Sequence, residues 1–451
     1  MLIRFNVNNF SSFNDNQEFS MIAGQVRNKS DRLFIGDSIK LIKFAAIYGA
    51  NASGKSNLIK AMGLAKEIIV KKIPSNSETY YSKINIENKD KSTYFEFEIE
   101  LDNKFYSYGF EILLSQKSIK SEWLYEIGKA SEKEIFTRKV DEGTYSISKY
   151  VKNKNLLAKL KVYIDDVKSD DSILFLTILN RNKDNLYKEF DEALIFKQVF
   201  SWFDNNLDIN YPNTPFDNSR YFFTDESYKQ IANYLEAFGT GVCNVTSDNV
   251  SEEIIKEKLP KSMLEDIIDD LRNKKESILV RYRNDGFYLF ELKKDGKLNY
   301  KVIKFNHGGD DDISFFLSEE SDGTRRLIDL LTVLLNKSED KVFVIDEIDR
   351  CLHPLLTRKF VEEFLKIAKR RKVQLIVTTH ESQLMDFNLL RRDEIWLMDK
   401  NIKGESIIYS MDEFNARFDK IIVKAYLEGR YGGVPSFYDS LLDYDDGESK
   451  L

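Results

Sequence analysis

The sequence predicts an α/β fold with a parallel core sheet, an antiparallel β subdomain and a mostly helical insertion. Three observations carry this prediction. Near the N-terminus an apolar strand runs into a glycine-rich loop and then a helix. After Gly323, helix and buried strand alternate, which is the mark of a parallel sheet. Between these two regions lie long runs of period-two alternation and then of helical periodicity.

The bounds agree with such an architecture. At 451 residues, 42% hydrophobic and 31% charged, the chain can bury a large core and exceeds one small domain. Lys+Arg number 67 against Asp+Glu 74, a formal net charge of -7, so there is no global basic footprint for nucleic acid or anionic lipid. Cys243 and Cys351 lie far apart, which indicates neither a disulfide framework nor a zinc site. The opening MLIRFNVNNFSSF lacks the layout of a signal peptide, and no apolar run reaches about 18 residues. A cytoplasmic protein with no membrane partner is expected.

In chain order, Leu2 to Phe10 alternate as a strand, Phe19 to Ala23 form a short one, and Leu41 to Tyr48 make an apolar segment ending at a glycine. A helix follows over roughly Asn57 to Lys72. Thr93 to Leu114 read as a hairpin turning at Asp102 and Asn103. Helical periodicity occupies Asn155 to Phe203 and returns in two stretches between 225 and 276. Ser277 to Phe305 form hairpins with turns at Asn284-Asp285-Gly286 and Lys294-Asp295-Gly296. The closing alternation is a helix to about Asn336, a strand Lys341 to Asp346, a helix from about Leu355 to Arg370 and a strand Val373 to Thr379. The expected organisation is an N-terminal lobe over 1–150, a helical insertion over 151–276 and a C-terminal lobe over 277–451.

Chemistry concentrates where the strands end. Gly49-Ala50-Asn51-Ala52-Ser53-Gly54-Lys55-Ser56 fits G-x-x-x-x-G-K-[ST], and Asn57 continues into the helix. Such a loop turns backbone N–H groups and a helix N-terminus toward a β-phosphate. Lys55 would reach the β/γ-phosphates and the Ser56 hydroxyl would bind Mg²⁺. Val342 to Ile345 are four apolar residues followed by Asp346 and Glu347; a run this apolar belongs inside a parallel sheet, with its end where α/β sheets bind ligands. Asp346 suits the metal's outer coordination, and Glu347 is placed to polarise an attacking water. His380 follows the next buried strand and reaches the same edge. His353 precedes a proline at a helix start and reads as positional, while His307, in NHGGDDD, reads as a loop residue.

In this order the motifs resemble ABC-type ATPases of the SMC, Rad50 and RecF group. The resemblance implies a P-loop ABC-type ATPase head binding ATP and Mg²⁺. Glu320-Ser321-Asp322-Gly323-Thr324 then aligns with the family's Leu-Ser-Gly-Gly-Gln/Glu signature: Ser321 and Gly323 match, and the other three depart from it. In the family these residues bind the γ-phosphate held by the opposite subunit, which implies a homodimer, or a higher even-numbered oligomer, with composite ATP sites. Without the resemblance, the segment is an ordinary helix start, capped by Ser321 or Asp322. Asp349 matches the acidic position of the family's D-loop. Asn180 and Gln116 are the candidates for its glutamine-loop residue.

The sequence is more closely similar to a bacterial subgroup, the AAA15 or RloA-like family, related to the ATPase half of OLD nucleases. It shares that subgroup's ESDGT signature, the Ile345 to Pro354 segment, the Thr378 to Glu381 switch and the late Tyr426 to Pro435 motif. That resemblance implies an anti-phage defence role beside a separate RloB-like or TOPRIM-type nuclease subunit, answering a phage-derived trigger. The alternative is a RecF/Rad50-like DNA-binding ATPase of repair or recombination, with Lys152 to Lys161 and Arg272 to Arg283 lining a groove.

Overall fold

The chain opens with β1 (Leu2–Asn8) and β2 (Gln17–Ser20), a ribbon of β3 (Phe34–Ile35) and β4 (Lys40–Leu41), and β5 (Phe44–Gly49), which runs into α1 (Lys55–Val70). Strands β6 (Thr93–Leu101), β7 (Lys104–Leu113), β8 (Ser118–Ile127), β9 (Glu132–Lys139) and β10 (Thr144–Ile147) follow. Helices α2 (Lys154–Val167), α3 (Phe175–Leu179), α4 (Asp184–Glu189) and α5 (Leu194–Ser201) lead to β11 (Leu207–Asn210). Next come α6 (Asp225–Ala237), β12 (Asn244–Val250), α7 (Glu252–Lys258) and α8 (Lys261–Lys274), then β13 (Ile278–Tyr282), β14 (Gly286–Leu292) and β15 (Leu298–Asn306). The last stretch holds α9 (Asp322–Leu335), β16 (Lys341–Ile345), α10 (Pro354–Ala368), β17 (Val373–Thr378), β18 (Ile395–Lys400), β19 (Ser406–Ser410) and α11 (Ile422–Leu427). The computed structural model describes residues 1–26, 28–128, 131–147, 150–214, 225–274, 277–282, 286–293, 295–308, 313–414 and 422–434.

The central sheet has the order β11-β16-β17-β5-β18-β19 and is parallel except for the edge strand β19. Its inner strands β16, β17 and β5 are buried throughout and largely apolar because both faces are covered. Phe44, Ala46 and Tyr48 of β5 join the core made with Leu327 and Leu330 of α9 and Phe360 and Phe364 of α10. Ala45 and Ile47 join the opposite core with Leu58, Ile59 and Met62 of α1. Alternate residues of one strand thus anchor two helix layers, as the two-residue period of a strand requires.

A seven-stranded antiparallel sheet, β10-β9-β8-β7-β6-β1-β2, shares the α1 core. Its aromatic face packs on the helices that follow it; the Phe97 and Phe203 rings meet edge to face at 5.0 Å. Asp102 (φ 51°) and Asn103 (φ 63°) make the β6–β7 turn, the left-handed pair that the strand twist of a two-residue hairpin favours. A four-stranded antiparallel sheet, β12-β15-β14-β13, packs with α6, α7 and α8. The turn residues Asn284, Asp285 and Lys294 lie outside the described residues.

Two details differ from the sequence reading. The stretch 151–276 supplies β11 to the central sheet and β12 to the four-stranded one. β11 (LDIN) is four residues long with polar Asp208 and Asn210, so it does not read as a buried strand; Lys341 neutralises Asp208 at 2.6 Å. The first helix begins at Lys55, not Asn57, so the loop's lysine and serine are its first two residues.

Candidate functional site

Gly49 ends β5 where only glycine fits: a Cβ there would stand 2.4 Å from the Met398 carbonyl oxygen. The loop then turns through Ala52 (φ 64°) and Gly54 (φ 115°) into α1. The first amides of that helix, with its dipole, make an anion site. Lys55 lies across the loop, donating from Nζ to the carbonyls of Gly49 at 2.7 Å and Ala50 at 3.0 Å. Burial lowers its pKa to about 8, against the opposing pull of Asp346, Asp349 and Glu347.

Strand order assembles the rest. β17 lies between β5 and β16, so His380 and the Asp346-Glu347 pair emerge beside the loop at the carboxyl edge of the sheet. The Ser56 hydroxyl donates to Asp346 Oδ1 at 3.2 Å and the Thr378 hydroxyl to the same oxygen at 2.6 Å. Thr378 Oγ1 also accepts the Glu347 amide at 2.8 Å, orienting both acids through one side chain. Glu347 sits at φ 50°, a left-handed conformation disfavoured for a residue with a side chain. Asp349 accepts the His380 amide at 3.3 Å, so it stands behind that histidine. Burial, and then the charge of Lys55, lowers the His380 pKa below the usual imidazole value, leaving a neutral ring at pH 7.

Asn51, Ala52, Ser53, Gly54, Lys55, Ser56, Asn57, Glu347 and His380, with Lys400, line one groove of about 550 Å³, within the usual range for small-molecule sites. Ser321 and Gly323 do not line it. Ser321 caps α9, accepting the Thr324 amide at 3.1 Å. A Cβ on Gly323 would come 2.9 Å from the Cys351 carbonyl oxygen, so the Ser321 turn rests on the segment that follows Asp349.

Several contributors were not read from the sequence. Arg326, second of an arginine pair, is buried and donates to Asn210 Oδ1 at 2.7 Å, the Glu347 carbonyl at 3.2 Å and the Asp346 carbonyl at 3.4 Å. Burial lowers its pKa to about 10, and Arg350 adds to the shift. His307 has a partner: its Nε2 lies 2.7 Å from Oε1 of the buried Glu320. Asn180 is used internally, donating to the Leu176 carbonyl at 2.9 Å, and Gln116 ends a short turn after β7. Neither lines the groove. Asn210 stands beside the acids instead, its carbonyl accepting the Asp346 amide at 2.9 Å. His353 caps α10 through Nδ1 at 3.2 Å from the Leu355 amide. In the late motif, Tyr426 donates to the Gly433 carbonyl at 2.9 Å and Gly433 packs against Gly49; Pro435 lies outside the described residues. Of the two basic stretches, Lys159 is paired with Glu189, and 275–276 and 283 of the second are outside the described residues.

A glycine loop opening a helix, flanked in a parallel sheet by an acid pair and a histidine, defines the P-loop ATPase fold of ABC type. Residues 44–154 and 164–386 match the AAA_21 family, "AAA domain, putative AbiEii toxin, Type IV TA system". The match spans most of the chain, which belongs to that family. Among solved structures, an SMC head bound to the C-winged helix domain of ScpA is similar at 15% identity and TM-score 0.41, covering 91% of this chain and 97% of that one. The SMC head domain from Thermotoga maritima is similar at 14% identity and TM-score 0.33, covering 91% and 98%. A Pyrococcus furiosus SMC head with an extended coiled coil, bound to the C-terminal domain of ScpA, is similar at 15% and 0.37, covering 91% and 96%. No curated protein matches the sequence. Among the described residues, no helix is long and apolar enough to cross a membrane.

Proposed function

We propose that the protein is a cytoplasmic ATPase of the AAA15 or RloA-like subgroup whose ATP-dependent dimerisation is a switch, regulating a separate nuclease-type effector in anti-phage defence. The observation that carries the switch is an incomplete groove: it holds Lys55, Ser56, Glu347 and His380 but neither Ser321 nor Gly323. A second copy supplying its Ser321 turn would close the site over the γ-phosphate.

The residues fit the chemistry. Loop amides and Lys55 bind the β- and γ-phosphates. Ser56 and Asp346, two oxygen donors 3.2 Å apart, suit Mg²⁺, which takes few protein ligands and completes its shell with phosphates and water. The metal, when bound, offsets charge on the phosphates. Glu347 accepts a proton from the attacking water, and the neutral His380 ring positions the γ-phosphate. Bistability biased by the γ-phosphate is what a nucleotide switch requires.

The test mixes two inactive variants. Lys55→Ala loses ATP binding; Ser321→Arg binds ATP but does not close on its partner. Their mixture is expected to regain phosphate release, since each heterodimer holds one intact composite site. Full activity of Ser321→Arg alone sinks the shared-site reading. Co-purification with the product of a neighbouring nuclease gene tests the effector, and ATP-stimulated DNA affinity that falls steeply with salt would replace it with the repair reading.

A further inference from the structure

We propose that Lys400 binds the nucleotide, holding a phosphate oxygen on the flank of the loop opposite Glu347 and His380. This rests on the nucleotide reading above and assigns that site a residue that no motif contains.

The argument begins with strand order. β18 is hydrogen-bonded to β5 on the side away from β17, with Met398 in register with Gly49. Lys400 is two residues further on, at the end of β18, and lines the groove. The loop is thus bracketed, with His380 and Glu347 emerging from the β17 and β16 flank and Lys400 from the β18 flank. Glu347 fixes the end where the γ-phosphate must lie to meet its water. The β18 flank therefore faces the part of the ligand nearer the α-phosphate.

The other cation lining the groove is Lys55, which reaches into the loop from the start of α1. Lys400 is exposed, and among the described residues no carboxylate lies within ion-pair distance of its Nζ. Its neighbour Asp399 is occupied, accepting the Lys400 amide at 2.8 Å and the Gly433 amide at 3.0 Å. Gly433 belongs to a left-handed turn with Gly432 (φ 73° and 71°). A Cβ on Gly432 would stand 2.4 Å from the Tyr409 hydroxyl, which donates to the Tyr431 carbonyl at 2.7 Å. The late glycine motif therefore braces the end of β18 and ties up its carboxylate. What remains is an uncommitted ammonium beside an anion-binding loop.

The experiment measures equilibrium binding of fluorescent ATP and ADP analogues, with Mg²⁺, to the full chain. Lys400→Ala is expected to weaken both by the same factor, about fivefold to tenfold for a charge-assisted bond at a partly exposed position. Lys400→Glu should weaken them further, and Lys400→Arg should stay within about twofold of wild type, since it keeps the charge and donors. Nucleotide-free melting temperatures should be unchanged, because Nζ holds nothing among the described residues. Wild-type affinity in Lys400→Ala, with binding lost in Lys55→Ala, overturns the assignment while leaving the nucleotide reading intact. A loss confined to the ATP analogue puts the lysine on the γ-phosphate and overturns its placement. Failure of the wild-type protein to bind either analogue overturns the underlying reading itself.

Discussion

Glu347→Gly is expected to stabilise the protein while removing the proposed ATP hydrolysis. At φ 50° a residue with a side chain stands about 1–2 kcal/mol above its right-handed alternative. Glycine does not bear that cost. The Glu347 carboxylate has no hydrogen bond or ion pair among the described residues, so truncation breaks neither and loses only the pull of its charge on Lys55. Against the gain stands the larger freedom of glycine in the unfolded chain, roughly 0.5–1 kcal/mol. The net is a stabilisation of about 0.5–1 kcal/mol, which for a chain of this size shifts the melting temperature by the order of 1 °C. Glu347→Gln is the control: it keeps the backbone strain and the shape, and should melt with wild type. Phosphate release should fall by about 10²–10⁴ in the glutamine variant, the usual contribution of a positioned base, with ATP still bound. Replicate melts and a phosphate-release assay decide the matter. A glycine variant that melts below wild type removes the strain argument, and a glutamine variant that hydrolyses normally removes Glu347 from its role.

Two other perturbations test the surrounding architecture. Burial holds Lys55 at a pKa of about 8 because it disfavours the charge, whereas bound phosphates favour the ammonium; below pH 8 both states carry the proton and affinity is flat. Above it binding must take up a proton, so ATP affinity, followed by fluorescence titration, should fall by up to about tenfold per pH unit, and a rise there would contradict the assignment. His307→Ala leaves the Glu320 carboxylate buried without its partner, at a cost of about 1–3 kcal/mol; hydrogen exchange should quicken across 317–324, and unchanged protection there would show that His307 does not hold the turn.

The parts of the site that were legible were those whose chemistry demands a local pattern. Gly49 to Ser56 had to contain glycines because a Cβ at Gly49 collides with backbone. Val342 to Ile345 had to be apolar because β16 is covered on both faces, so its acids were readable as a strand end. What escaped reading was assembled by topology. Lys400 joins the groove because β18 pairs with β5, and Arg326 reaches the acids from a helix crossing the sheet. His307 and Glu320 are only 13 residues apart, but their pairing depends on how the β15 end meets the start of α9. β11 was hidden because a four-residue strand with two polar residues has no apolar signal, although its Asp208 is neutralised once Lys341 lies beside it.

Arg326 gives α9 a consequence beyond its packing. The helix is capped by Ser321, the residue proposed above to meet a neighbouring copy, and five residues on it carries an arginine that grips the carbonyls of its own Asp346 and Glu347. In a closed dimer, a shift of that turn by the neighbour's γ-phosphate would therefore tug on the local water-activating acid through one rigid helical turn. Turnover at the two sites would then be coupled, and the ATP dependence of phosphate release would depart from a Hill coefficient of one.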